Sequence, residues 1–117
     1  MADKAKTLED LLKLKGVVAA GEFALDGKLV NYKTNKGYEL TQDQAELTAQ
    51  FSATITQVFN TLAGAYTKIK EEKWVPQKGW AYAGGDWTIV VGGTRGVFAK
   101  TAEADYNQLF EALVGAR

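Results

Sequence analysis

Apolar and polar positions change their period several times along the chain, and each change marks an element. Leu8, Leu11 and Leu12 recur at helical spacing behind Thr7-Leu-Glu-Asp10. That tetrapeptide has the form of a capping box, its threonine accepting from an amide three residues on while the acid reaches back, so a short helix is predicted to start there and close at Gly16. From 17 to 25 the residues are β-branched, small or aromatic, and Asp26-Gly27 suits a two-residue type I′ turn into a second strand over 28–33. Gly21, inside the first strand, is expected to mark a bulge or a close approach by a helix.

Thr41-Gln-Asp-Gln44 is a second capping box, and the helical period then holds from Gln42 to about Lys70. Trp74-Val-Pro76 lies outside it. Leu47, Phe51, Ile55, Val58, Leu62, Tyr66 and Ile69 share an arc of roughly 100°, the stripe expected to pack on a sheet. Ala45, Ala49, Ser52, Thr56, Asn60, Ala63 and Thr67 share a second arc, and all are small or short and polar. A second helix could come close there. A continuous helix would be roughly 43 Å long, against roughly 35 Å for a globule of this size, so it overhangs, breaks at Gly64 or finds a partner.

Beyond Pro76 the alternation returns. Strands are predicted over 79–83 and 86–91 around a Gly84-Gly85 loop, with Tyr82 opposite Trp87 and Trp80 opposite Ile89. A turn at Gly92-Gly-Thr-Arg95 leads into a strand over 96–100, and Thr101 is placed to cap a last helix bearing Tyr106, Leu109, Phe110 and Leu113 on one face. The order is αββαβββα. A five-stranded antiparallel meander that is apolar on both faces needs helices on both, which gives an α+β, three-layer α/β/α sandwich.

Composition narrows the chemistry. The 117 residues carry 14 basic and 14 acidic side chains, so no charge excess draws the chain to nucleic acid or to an acidic membrane. Cysteine and histidine are absent, which removes disulfides, the usual zinc ligands, thiol nucleophiles and the commonest general base. No metal site, cofactor or catalytic residue is assigned. With no linker-like tract, repeat or apolar run long enough to span a bilayer, the chain is expected to be a single domain over 1–117, cytoplasmic, with residues 1–6 disordered.

The element order, the Gly16-Val17 strand start, the Asp26-Gly27 hairpin, the long helix and the three closing strands together resemble the Roadblock/LC7 family of profilin-like modules. More narrowly, Gly16-Val-Val-Ala-Ala-Gly-Glu-Phe23, Asp26-Gly-Lys-Leu-Val30, Lys78-Gly-Trp80, Gly84-Gly-Asp86 and Gly96-Val-Phe98 look like a small prokaryotic family of unknown function related to that fold. The resemblance implies a non-enzymatic homodimer that pairs long helices and joins two sheets at an edge strand. It also implies a partner such as a small GTPase or a complex subunit, although no residue set here marks GTPase binding.

On this reading the dimer seam is the small-residue face, Ala45, Ala49, Ser52, Thr56, Asn60, Ala63 and Thr67, together with Trp80 and Tyr82 on the joining strand; the alternative for the small-residue face is cover by another segment of the same chain. An Ala49→Arg substitution is then expected to break assembly and spare the fold. Trp74, Trp87 and Asp86 are the further candidate contacts for a partner or ligand. Asp86 and Glu22 are carboxylates without a recognisable partner, and Gly92-Gly-Thr-Arg-Gly96 is read as hairpin geometry, since it lacks the P-loop fingerprint. The expected function is a scaffold or regulator; the alternative is a sensor holding a small ligand beside the aromatic hairpin.

Overall fold

Both capping boxes close as the sequence predicts. In a computed structural model describing residues 4–70 and 72–115, Thr7 Oγ1 accepts from the Asp10 amide at 3.1 Å and Asp10 accepts back from the Thr7 amide, opening α1 (Leu8–Leu12). Thr41 and Gln44 make the same exchange at 3.2 and 3.0 Å, opening α2 (Gln42–Lys70), which runs unbroken through Gly64. The strands are β1 (Val17–Phe23), β2 (Leu29–Thr34), β3 (Gly79–Gly84), β4 (Trp87–Gly92) and β5 (Arg95–Lys100), and α3 (Tyr106–Val114) is the last element of the described residues. The order is the predicted αββαβββα. At 47 Å, the longest dimension of the protein is close to the length of α2, so the helix overhangs.

The sheet is antiparallel and five-stranded, but it is not a meander: its order is β2-β1-β5-β4-β3. The long α2 carries the chain from the β2 edge across to the opposite edge. There β3 begins, and β4 and β5 work back until β5 pairs with β1 at the centre. Two turns also differ from expectation, the first in loop length and the second in register. The first hairpin closes through three residues, Leu25 to Gly27, with Gly27 at φ +95 and its amide bonded to Ala24 O at 2.9 Å. A type I turn followed by a left-handed glycine makes such a loop. In the second hairpin the loop is Gly85-Asp86, so Tyr82 faces Ile89 and Trp80 faces Val91. Starting the turn one residue later moves each pairing by two and leaves the faces unchanged. The bulge expected near Gly21 lies one residue on, between Glu22 and Phe23.

One face of the sheet is covered by α1 and α3, around Leu8, Leu11, Val17, Val90, Val97, Leu109 and Leu113. Gly92 permits the approach of α3, because a Cβ there would stand 2.6 Å from Val114 Cγ1 and 2.9 Å from Leu113 Cβ. Asp105, not Thr101, caps α3, accepting from the Gln108 amide at 3.1 Å. Residues 101–103 form a 3-10 turn, and the Thr101 hydroxyl instead meets that of Thr88 at 2.9 Å. The buried Arg95 donates through Nη2 to Ala112 O and Leu113 O, where α3 runs out of amide partners. Residues 4–6 are ordered, with Ala5 donating to Ala112 O at 2.7 Å; residues 1–3 lie outside the described part.

On the other face the two sides of α2 are reversed relative to the sequence reading. Ala45, Ala49, Ser52, Ala53, Thr56 and Ala63 are buried, while Leu47, Phe51, Val58, Leu62, Tyr66 and Ile69 are exposed; only Ile55 of the large stripe is half buried. The cause is volume. From the sheet, Phe23, Trp80 and Val91 rise into the layer between sheet and helix, and Ala49 and Ala53 meet them. Facing surfaces reach interior packing density when large opposes small.

Candidate functional site

With its small residues turned inward, α2 presents a line of large apolar side chains to solvent. Leu47, Phe51, Val58, Leu62 and Ile69 follow one another along about 33 Å of helix. Phe51 is 60%, Val58 59% and Ile69 76% exposed. Thr54 and Ala65, also exposed, fill the gaps in the line, so that its members recur every three or four residues. A continuous apolar patch of this length on a small protein marks an interaction surface.

The two sheet edges differ. At the β2 edge, Lys28 precedes the strand and Lys33 lies within it, Lys33 pairs with Glu9 at 2.8 Å, and the Asn31 side chain accepts from the Tyr32 amide at 2.9 Å. Charges and side-chain caps of this kind block edge-to-edge pairing. The β3 edge carries no charge in Gly-Trp-Ala-Tyr-Ala-Gly, and Ala81, Tyr82, Ala83 and Gly84 are exposed. Tyr82 projects on the same sheet face as Trp80, the face that α2 covers.

The aromatic residues of this region do not form one cluster. Trp80 is 8% exposed, lies against Phe59 and donates from Nε1 to Thr56 Oγ1 at 2.9 Å, so it serves the core. Trp87 packs at a tilt against Tyr38, 5.3 Å between centroids, and Tyr38 in turn against Phe98. Trp74 is half exposed, packs at a tilt against Tyr66 with ring centroids 5.0 Å apart, and is held by its amide, which donates to Thr67 Oγ1 at 2.9 Å. Asn60, an exposed member of the small face, accepts from Gln77 Nε2 at 2.8 Å. These bonds fasten the 72–78 segment to α2 and form a groove of about 380 Å³ between Phe59, Tyr66, Trp74 and Trp80. The apolar space under the first half of α2, at Ala19, Gly21, Ala45 and Ala49, is only about 40 Å³, far below the few hundred Å³ of small-molecule sites.

The small-residue seam is therefore corrected. Ala45, Ala49, Ser52, Thr56 and Ala63 face their own sheet, Trp80 projects from that sheet onto α2, and the exposed apolar surface lies on the residues assigned to the core. Periodicity identifies both faces but does not say which the sheet takes; the signal was the size of Phe23, Trp80 and Val91 on the sheet. Asp86 is an exposed turn residue whose carbonyl accepts from the Thr101 amide at 2.9 Å. Glu22 sits opposite Asn31 in the sheet ladder. Among the described residues there is no group of three or more carboxylates that could hold a metal ion, and no helix is long and apolar enough to cross a membrane.

Comparison with solved structures shows the fold to be Roadblock/LC7-like. A Roadblock/LC7 domain from Streptomyces avermitilis superposes with a TM-score of 0.66 at 13% identity, covering 93% of this chain and 87% of that one. The gliding protein MglB from Thermus thermophilus gives 0.69 at 15% identity, covering 92% and 82%. An MglB with tetrameric arrangement gives 0.68 at 15%, covering 87% and 73%. No curated protein matches the chain in sequence. The model of the family described as uncharacterized conserved protein (DUF2173) matches residues 7–114, and the chain belongs to that family.

Proposed function

From that membership and this surface, we propose that the DUF2173 chain is a non-catalytic, homodimeric protein-interaction module, a scaffold or regulator of a cytoplasmic complex. The observation that carries the proposal is the apolar line on the outward face of α2 beside the uncharged β3 edge. An exposed apolar face of this length suits a subunit that closes with a two-fold copy, the commonest oligomeric form. The tetrameric arrangement of one MglB agrees with a fold that assembles through its own surfaces. Resemblance alone brings in the further partner, a small GTPase or a complex subunit. Light scattering coupled to size exclusion tests the core of the reading: a mass of twice 12.7 kDa supports it, and a monomer at micromolar concentration sinks it.

The groove between Tyr66, Trp74 and Trp80 favours a second reading, a small-ligand sensor, because its size lies in the range of small-molecule sites. Titration with an anilinonaphthalene sulfonate dye, read by Trp74 emission in the wild type against Trp74→Phe, tests it. An unchanged spectrum removes it.

A further inference from the structure

The groove between α2 and the 72–78 segment has walls that are fixed before anything enters it. The Trp74 amide donates to Thr67 Oγ1 at 2.9 Å, and Gln77 Nε2 donates twice to α2, to Thr56 O at 3.2 Å and to Asn60 Oδ1 at 2.8 Å. Trp80 uses its indole N–H on Thr56 Oγ1. With these donors occupied, Phe59, Tyr66, Trp74 and Trp80 present rings to the space, and an occupant has little order to impose on them. Trp74 is nonetheless 49% and Tyr66 40% exposed, so aromatic surface on a fastened segment is left to water.

Charge in the groove has one sign. Lys73 and Lys78 line it, and among the described residues no carboxylate does. Glu72 lies against Trp74 Nε1 at 3.5 Å, outside the lining, and neither lysine is within ion-pair distance of a described carboxylate. The chain as a whole has no charge excess, so this positive sign is local. Resting on the small-ligand reading above, we infer that the groove takes a small amphipathic anion, a flat apolar body bearing one carboxylate or sulfonate. The body lies against the rings of Tyr66, Trp74 and Trp80, and the aliphatic stems of the lysines extend that wall. The anionic group accepts charge-assisted hydrogen bonds from Lys73 and Lys78. A cation would meet two like charges, and a neutral body would leave both ammonium groups to water.

Two dyes that differ in a single group test this: anilinonaphthalene sulfonate and its uncharged parent, phenylnaphthylamine. Titrated into the full chain, the sulfonate is expected to bind about tenfold more tightly, the gain that two partly solvated ion pairs supply. Lys73→Gln/Lys78→Gln should equalise the two dyes and leave the uncharged one within about twofold of its wild-type affinity. Lys13→Gln/Lys36→Gln removes the same charge from exposed positions after α1 and after β2, at the sheet edge opposite β3, and should keep the preference. Trp74→Ala retains the backbone bond to Thr67 and should weaken both dyes severalfold. Equal affinities in the wild type, a preference that survives Lys73→Gln/Lys78→Gln, or one lost equally in Lys13→Gln/Lys36→Gln overturns the anion and leaves a ligand groove standing. Binding of neither dye, or binding of both unaltered by Trp74→Ala, overturns the groove as a ligand site and the inference with it.

Discussion

The indole nitrogen of Trp80 donates to the hydroxyl of Thr56 at 2.9 Å, and both residues are buried. This bond ties the edge strand β3 to the middle of α2, and so fixes the distance between the two surfaces that form the proposed interface. Thr56→Val keeps the shape and removes the acceptor, leaving the indole N–H buried without a partner. Such a loss costs about 1–3 kcal/mol. We expect a melting point lower by roughly 4 °C per kcal/mol, measured by calorimetry, with Thr56→Ser close to wild type. Equal stability of the valine variant would show the bond to be dispensable.

Val58→Glu and Ala49→Arg should separate the two faces of α2. Val58 is exposed in the protomer, so its charge leaves the fold intact, and on the outward face of α2 it is expected to dissociate the proposed dimer. Ala49 is 4% exposed beneath the helix. Arginine there buries an unpartnered charge at a cost on the order of 3–5 kcal/mol, a large share of the about 5–15 kcal/mol that holds a domain folded. Circular dichroism and solution mass distinguish a folded monomer from an unfolded chain. A stable, folded Ala49→Arg protein would contradict the packing of α2 on the sheet.

Gly92→Ala should destabilise the protein by about 1–3 kcal/mol, the range for overpacking a core. The added methyl meets Val114 Cγ1 at 2.6 Å and Leu113 Cβ at 2.9 Å, so α3 must move outward. Chemical denaturation reads the loss. Gly64→Ala, with no atom within 4 Å and a regular helical place, should stabilise by up to about 1 kcal/mol, and a loss there would mean that α2 does not remain helical at its centre.

Lys33 holds the Glu9 carboxyl below its ordinary value of 4.5, first by its side-chain hydrogen bond and then with help from the Glu9 backbone amide. A depressed carboxylate contributes stability that is complete above the unfolded value and disappears as pH falls through the folded one. Proton titration followed by NMR should therefore place Glu9 below 4.5 in the wild type and nearer to it in Lys33→Gln. The exposure of the pair makes its effect on stability small and confines the pH dependence to the acid side. Identical titration in both proteins would remove the pair from the account.

Local rules made much of this protein legible before folding was considered. Thr7 with Asp10 and Thr41 with Gln44 cap helices by bonds that span three residues, and the turns at Asp26-Gly27 and Gly92-Gly93 depend on backbone freedom at single positions. The sequence by itself therefore determined the element order, the sandwich class and the existence of two unlike faces on α2. Its loops were placed to within one residue, enough to keep the sheet faces and lose the pairing of Tyr82 with Ile89. Tertiary structure alone decided strand order, since β5 pairs with β1 across most of the chain's length, and it alone decided which side of α2 goes inside. Helical periodicity ranks faces by hydrophobicity, whereas packing selects by volume. Phe23, Trp80 and Val91 already fill the layer above the sheet, so the helix turns its alanines inward and leaves Leu47, Phe51, Val58 and Ile69 facing outward.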